Sequence, residues 1–236
     1  MTIISWNCNM AFRKKIEQVS DIMADIMIIS ECEELSKFKD EQLNAYPNRY
    51  WFGDNNSKDI AIFSKEDYKL HLEESYNENF KYVIPIRVKG VKDFVLFGIW
   101  AMNDKEDARN RYISQVGSAI EYYQNLLKED CIFIGDFNSN TVWDNDSPKK
   151  NFTHRDVVEK LKEHNISSVY HKLHDEEYGI ESVPTLYMYK HEDKPYHIDY
   201  IYCSNVFSEK LKYFSIGEYS NWIKYSDHMP LIIEFL

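Results

Sequence analysis

The sequence predicts an α/β protein of two packed β-sheets with helices outside. Three observations predict it. Short apolar runs of strand length recur along all 236 residues. Segments with apolar residues at helical spacing lie between those runs. Finally, no Pro/Gly/Ser-rich linker divides them, with 7 Gly and 6 Pro in the chain. Mixed strands and amphipathic helices bury their apolar faces most simply as stacked layers.

Taken in order, Ile3 to Asn9 reads as an apolar strand ending in asparagines. Residues 12–23 read as a helix with Ile16, Val19, Ile22 and Met23 on one face. Residues 26–31 form a buried strand ending in Glu31, and Leu35–Leu43 a short helix. Strands Tyr50–Phe52 and Asp59–Ser64 are joined by the polar turn Gly53–Lys58. Val83–Val88 and Phe94–Ala101 pair across Lys89–Asp93.

A long helix is expected over residues 107–128, with Tyr112, Val116, Ala119, Ile120, Tyr123 and Leu127 inward. It feeds a buried strand, Cys131–Asp136. Thr153 is placed to cap a helix through Glu163, with Asp156 three residues on and Val157, Val158 and Leu161 buried. The last 50 residues read mainly as strands: Thr185–Tyr189, His197–Cys203, Tyr213–Ile216 and Leu231–Phe235.

Several strands carry a polar residue to their end. The stretch Ile132 to Asn140 breaks an apolar run at Gly135 and delivers Asp136 and Asn138. Strand alternation would point both the same way. A plain turn also favours Asp, Asn and Gly, so other strand ends carry the argument. Trp6-Asn7, Ser30-Glu31, Asp199-Tyr200 and Ser226-Asp227-His228-Met229-Pro230 repeat the pattern.

In that order, these motifs resemble the signatures of the endonuclease/exonuclease/phosphatase superfamily, the DNase I and exonuclease III type. The resemblance spans residues 3–235. It implies a DNase I-like four-layer sandwich, two packed mixed β-sheets flanked by helices, with residues 1–236 as one domain. It also implies metal-dependent hydrolysis of phosphoesters. Glu31 would be the principal metal ligand, since its spacing from Asp25 matches the family's, with Asn7 beside it and Asp227 completing the set. Asp136 would orient and deprotonate the attacking water, and Asn138 would hold Asp136 or donate to the phosphate. His228 would face the phosphate, its other nitrogen held by Asp199. The expected ion is Mg²⁺, with Mn²⁺ as substitute, because these are oxygen donors without thiolates.

One departure concerns the middle strand. Many relatives place a histidine or tyrosine after it, whereas this chain reads Gly98-Ile99-Trp100-Ala101-Met102-Asn103-Asp104. Trp100 could pack under the site, and Asn103 is a candidate substrate contact, as are His154 and His171. Glu33 and Glu34 read as solvated.

Composition leaves the substrate open. The net charge of −11 opposes avid duplex binding. Local basic clusters occur at Arg13-Lys14-Lys15, at Lys149-Lys150 with Arg155, and at Arg109 with Arg111. The leading expectation is a nuclease of the exonuclease III and abasic-endonuclease type, acting on DNA before RNA. A phosphatase or phosphodiesterase of a nucleotide, inositol phosphate or lipid headgroup suits the acidic charge better. A non-catalytic scaffold would not need seven polar residues at the strand ends. Cys8, Cys32, Cys131 and Cys203 lack zinc spacing and read as buried thiols. The N-terminus enters a strand without a positive leader, no apolar run is long enough to span a bilayer, and no protein partner is implied. A cytoplasmic protein is expected.

Overall fold

The computed structural model describes residues 1–105, 107–145 and 151–236. In chain order the elements are β1 (Thr2–Asn7), α1 (Glu17–Ser20), β2 (Ile26–Cys32), α2 (Asp40–Leu43), β3 (Asn48–Phe52), β4 (Asp59–Ser64), β5 (Lys69–Leu72), β6 (Val83–Lys89), β7 (Phe94–Trp100) and α3 (Ile113–Tyr122). There follow β8 (Cys131–Asp136), α4 (His154–Glu163), β9 (Ile166–Ser168), α5 (Val169–His174), β10 (Leu186–Tyr187), β11 (Pro195–Tyr196), β12 (Asp199–Ser204), α6 (Asn205–Glu209), β13 (Leu211–Ile216), α7 (Tyr219–Trp222) and β14 (Leu231–Phe235).

Two six-stranded mixed sheets result. One runs β13-β14-β1-β2-β4-β3, the other β5-β6-β7-β8-β12-β9. The parallel pairs are β1 with β2 and β7 with β8. Alternation sends Ile3, Ile26, Ile28, Ile60, Ile62, Leu231 and Ile233 of the first sheet inward against Leu96, Ile132, Ile134 and Ile201 of the second. The opposite faces bury against the outer layers. Ile4, Trp6, Met27 and Ile29 pack under Phe12 and Val19, while Phe97, Phe133 and Tyr202 pack under Val116, Ile120 and Leu161. This is the expected four-layer α/β sandwich. At roughly 1.5–3 kcal/mol per buried aliphatic or aromatic side chain, the three apolar layers dominate the folding free energy.

The inward ladder changes character at one rim. It runs Ile3, Ser5, Asn7 on β1; Ile132, Ile134, Asp136 on β8; and Cys203, Ile201, Asp199 on β12. Polar residues therefore converge where the core ends.

Several expected helices are shorter. The 12–23 segment is a single 3₁₀ turn, Phe12–Lys14, then α1. Its entry is left-handed at Ala11, and the Lys15 ammonium is drawn to the carbonyls of Cys8, Asn9 and Tyr225. The 35–43 helix splits because Phe38 is extended, packing on Phe12 and Phe63. The 107–128 helix keeps its α form only in α3, flanked by 3₁₀ turns at Ala108–Asn110 and Leu126–Lys128. Tyr112 is not inward: at φ 49° it is 36% exposed, its N–H donating to Met102 O. Val116, Ala119, Ile120, Tyr123 and Leu127 are buried. Thr153 forms the capping box with Asp156.

The 185–189 strand contracts to β10, which pairs with the unforeseen β11. Short β5 and β9 were equally illegible because they exist only through pairing with β6 and β12. Lys149 and Lys150 lie outside the described residues.

Candidate active site

Gly135 lets two strands close beneath the site. Its φ is +146°, and a Cβ there would lie 2.0 Å from the Ile99 carbonyl oxygen of β7. Asp136, the next residue, is paired in register with Trp100 on one side and Asp199 on the other. Register partners share a face, so the two carboxylates stand side by side, both nearly sealed from solvent.

Asp136 is held by three N–H groups. Asn7 Nδ2 donates to Oδ2 from the opposite sheet at 3.0 Å. Asn138 donates twice, from its backbone N–H at 2.8 Å and from Nδ2 at 3.1 Å, and Nδ2 also reaches Ala101 O. Strand alternation is not what brings Asn138 round. The strand ends at Asp136, and Asn138 folds back through a left-handed φ of 46°.

His228 completes the cluster. Its Nδ1 donates to Asp199 Oδ2 at 2.9 Å, and its Nε2 lies 3.9 Å from Asp136 Oδ2. The ring is fixed by its own backbone: its N–H donates to Ser226 Oγ, its carbonyl accepts from Trp6 Nε1, and Ser226 Oγ donates to Asn7 O. Thr185 Oγ1 anchors the approach to Asp199 by accepting from the N–H groups of Ile198 and Asp199.

Burial and the neighbouring Asp199 charge push the Asp136 carboxyl well above the usual carboxylate range, opposed by His228 and by its hydrogen bonds. Burial alone would lower the His228 imidazole, but the carboxylates of Asp199 and Asp136 outweigh it and raise it above its ordinary value. Protonation of Asp136 and of His228 is therefore coupled, and the raised imidazole lies between the two carboxylates.

Glu31 follows Asn7's partner Ser30 on β2, at a bulge between Ile29 and Cys32 and with φ 57°. A bulge re-aims a side chain. The half-buried Glu31 carboxylate accepts no hydrogen bond among the described residues. Asp227 is also half-buried and accepts from Asn9 Nδ2 at 3.0 Å, while Asn9 N–H donates to Asn7 Oδ1. Glu31, Asp227 and Asn7 each carry a hard oxygen donor of the kind a divalent cation takes. A second group, Asp136, Asp199 and His228, has its ligand atoms within 4.8 Å of one another, but these atoms are already engaged with each other.

The other candidates lie elsewhere. Asn103 is exposed at a cleft of about 310 Å³ with Lys81, Tyr82 and Lys105, two residues from the Ala101 carbonyl that Asn138 grips. His154 is fully buried, bonded through Nε2 to Tyr202, and cannot meet a substrate. His171 is sequestered between Ser168 and Glu181 and stacked on Tyr178. Trp100 does pack beneath the rim, beside Tyr82.

Glu33 is not solvated. It is 1% exposed and accepts from the N–H groups of Phe12 and Arg13 and from the Arg13 guanidinium. The first basic cluster is thereby largely spent on structure, as is Arg109 on Asp107. All four cysteines are buried free thiols. Ser226, which the last motif contained, braces Asn7 and His228 through partners that only the fold supplies.

A search of curated protein sequences finds no match. Solved structures do share the fold. A 3′ phosphatase from Neisseria, bound to product DNA hairpin, superposes with a TM-score of 0.72 at 19% identity, covering 100% of this chain and 99% of that one. An AP endonuclease from Archaeoglobus fulgidus gives 0.66 at 20% identity over 100% and 99%. The endonuclease domain of a telomere-specific non-LTR retrotransposon gives 0.67 at 13% over 99% and 97%. The model of the Endonuclease/Exonuclease/phosphatase family matches residues 4–228. The chain therefore belongs to that family of phosphoester-hydrolysing enzymes.

Proposed function

We propose that this chain is a Mg²⁺-dependent phosphodiesterase that cleaves nucleic-acid phosphodiester bonds, DNA before RNA, with residues 1–236 acting as one catalytic unit in the cytoplasm. The observation that carries the reading is Asp136, a buried carboxylate aimed by Asn7 and Asn138 and set against the Asp199–His228 pair.

Asn7, Glu31 and Asp227 would hold the cation, which when bound neutralises phosphoryl oxygens and acidifies water. Asp136 accepts the proton of the attacking water. Its raised affinity for protons favours that transfer near neutral pH. Asn138 orients Asp136, since its amide is committed to that carboxylate and to Ala101 O. His228 donates from Nε2 to a phosphoryl oxygen as charge develops there, and Asp199 keeps Nδ1 protonated and the ring turned.

A phosphatase or phosphodiesterase of a small phosphoester is the second reading. It is favoured by the net charge of −11 and by the engagement of Arg13 and Arg109 with carboxylates. Both readings are tested by a Mg²⁺-dependent assay on single- and double-stranded DNA, abasic duplex, RNA and a chromogenic phosphodiester, each with an Asp136→Asn control. Nucleic-acid cleavage lost in the control supports the first reading. Turnover of the small diester alone moves the conclusion to the second. The same panel with Mn²⁺ checks the ion. No helix among the described residues is long and apolar enough to cross a membrane.

A further inference from the structure

Beyond the catalytic cluster, one buried carboxylate is tied to the loop that carries it. Glu181 has a side chain only 3% exposed. Its Oε2 accepts from Gly179 N–H and from Asn140 Nδ2, each at 3.0 Å, and its Oε1 lies 3.2 Å from His171 Nε2. His171 is in turn stacked on Tyr178 with ring centroids 3.6 Å apart, and its Nδ1 meets Ser168 Oγ. An ion is costly to bury unless its bonds are satisfied, and these bonds hold it rigidly.

Asn140 is the only one of these partners on the loop that follows Asp136. Its amide spans a junction. Nδ2 reaches the His197 carbonyl at 2.9 Å and Tyr200 Oη at 3.1 Å, while Oδ1 accepts from Val142 N–H. Asn140 lies four residues after Asp136, and His197 two before Asp199. The amide therefore ties the chain leaving one carboxylate to the chain entering the other, beyond the last ladder bond from Phe137 N–H to Ile198 O. An amide with two protons and three acceptors around it can rotate among them, and the anionic acceptor selects one orientation.

We propose that Glu181 is a positioning residue that, through Asn140, sets the relative placement of Asp136 and Asp199. The proposal rests on the reading of Asp136 as the base. It assigns Glu181 no contact with substrate.

The test compares Glu181→Ala, Glu181→Gln, Asn140→Ala, the Glu181→Ala/Asn140→Ala double variant and Glu176→Ala. Glu176 braces the same segment through Tyr170 and Ser182 without touching Asn140. Turnover of duplex DNA, or of the chromogenic diester where DNA is inert, is followed with Mg²⁺ well below each variant's melting temperature. Glu181→Ala is expected to lower kcat by about tenfold or more at nearly unchanged KM, since small misplacements cost up to ~10²-fold. Glu181→Gln should restore most of the rate because its oxygen still accepts from Asn140. The double variant should be no worse than the worse single one. Glu176→Ala should melt lower yet keep kcat. The proposal is overturned if kcat tracks melting temperature across all five, or if the two single losses multiply. An Asp136→Asn control separates the levels: full activity there removes the base assignment itself, whereas an inactive control beside a fully active Glu181→Ala removes only the positioning role.

Discussion

Nδ1 of His228 lies 2.9 Å from the carboxylate of Asp199, and this one bond decides what the other face of the imidazole can do. It fixes the tautomer when the ring is neutral and stabilises the imidazolium when it is charged. Nε2 is left directed at the Asp136 side of the cluster. Asp199→Asn should keep the shape but weaken the hold on charge, lowering kcat by roughly 10²–10⁴-fold. His228→Gln should do the same. Steady-state kinetics on the preferred substrate check both, and a kcat within twofold of wild type in either variant would remove the dyad from the mechanism.

Asp136→Asn removes the proton acceptor and little else. The amide oxygen can still accept from Asn7 Nδ2 and Asn138 Nδ2 in place of Oδ2, while the NH₂ group faces the Asn138 backbone N–H and the repulsion with Asp199 is relieved. Turnover should fall by roughly 10²–10⁴-fold, with a melting temperature close to that of wild type. A melt and a cleavage assay on the same preparation decide it.

Glu31→Gln keeps the bulge and takes away one negative ligand. Divalent-ion affinity should weaken on the order of tenfold or more, given that even indirect partners of metal ligands are worth about 10–100-fold. Calorimetric titration with Mg²⁺ and Mn²⁺ reads this without substrate. An unchanged isotherm moves the cation to other donors.

Gly135→Ala should be severe. Its Cβ would meet the Ile99 carbonyl at 2.0 Å, backbone against backbone, at a φ that side chains rarely adopt. Strain and overpacking together should cost about 3–6 kcal/mol. That corresponds to a fall of roughly 10 °C in melting temperature for a chain of this size. A thermal shift of only a degree or two would show that β7 and β8 can part without loss.

His154 makes stability pH-dependent. Burial pushes its imidazole down to about 3, so the folded state keeps it neutral while the unfolded chain protonates near pH 6.5. Its contribution is present above pH 6.5 and is lost as pH falls from there toward 3. The full loss is on the order of 5 kcal/mol at 1.36 kcal/mol per pH unit. His197, also lowered by burial, acts in the same direction. His154→Gln, which can still bond Tyr202, should flatten denaturant-derived stability across that window. A pH slope identical to wild type would mean His154 is already exposed in solution.

The sheets were legible because their residues answer to a local rule. Strands such as Cys131–Asp136 and Leu231–Phe235 are apolar enough to be buried wherever the chain takes them. Helices were less legible. Apolar spacing over 107–128 describes burial correctly at Val116 and Ile120, yet says nothing of the turn at Tyr112 that makes the helix start late. Glu33 and His154 were misplaced for a related reason. Whether a polar side chain is solvated depends on which N–H and O–H groups arrive from remote segments, here Phe12 and Tyr202.

By itself, then, the sequence determined the sandwich, its family and the polar residues at the strand ends, since each follows from short-range alternation and a recurring order of motifs. Only the tertiary structure decided which polar groups touch. Asp136 with Asn7, Asp199 with His228, and Asn140 with Glu181 are separated by 129, 29 and 41 residues. Contacts at such separations are set by sheet register and by how two sheets stack, and no local pattern encodes them.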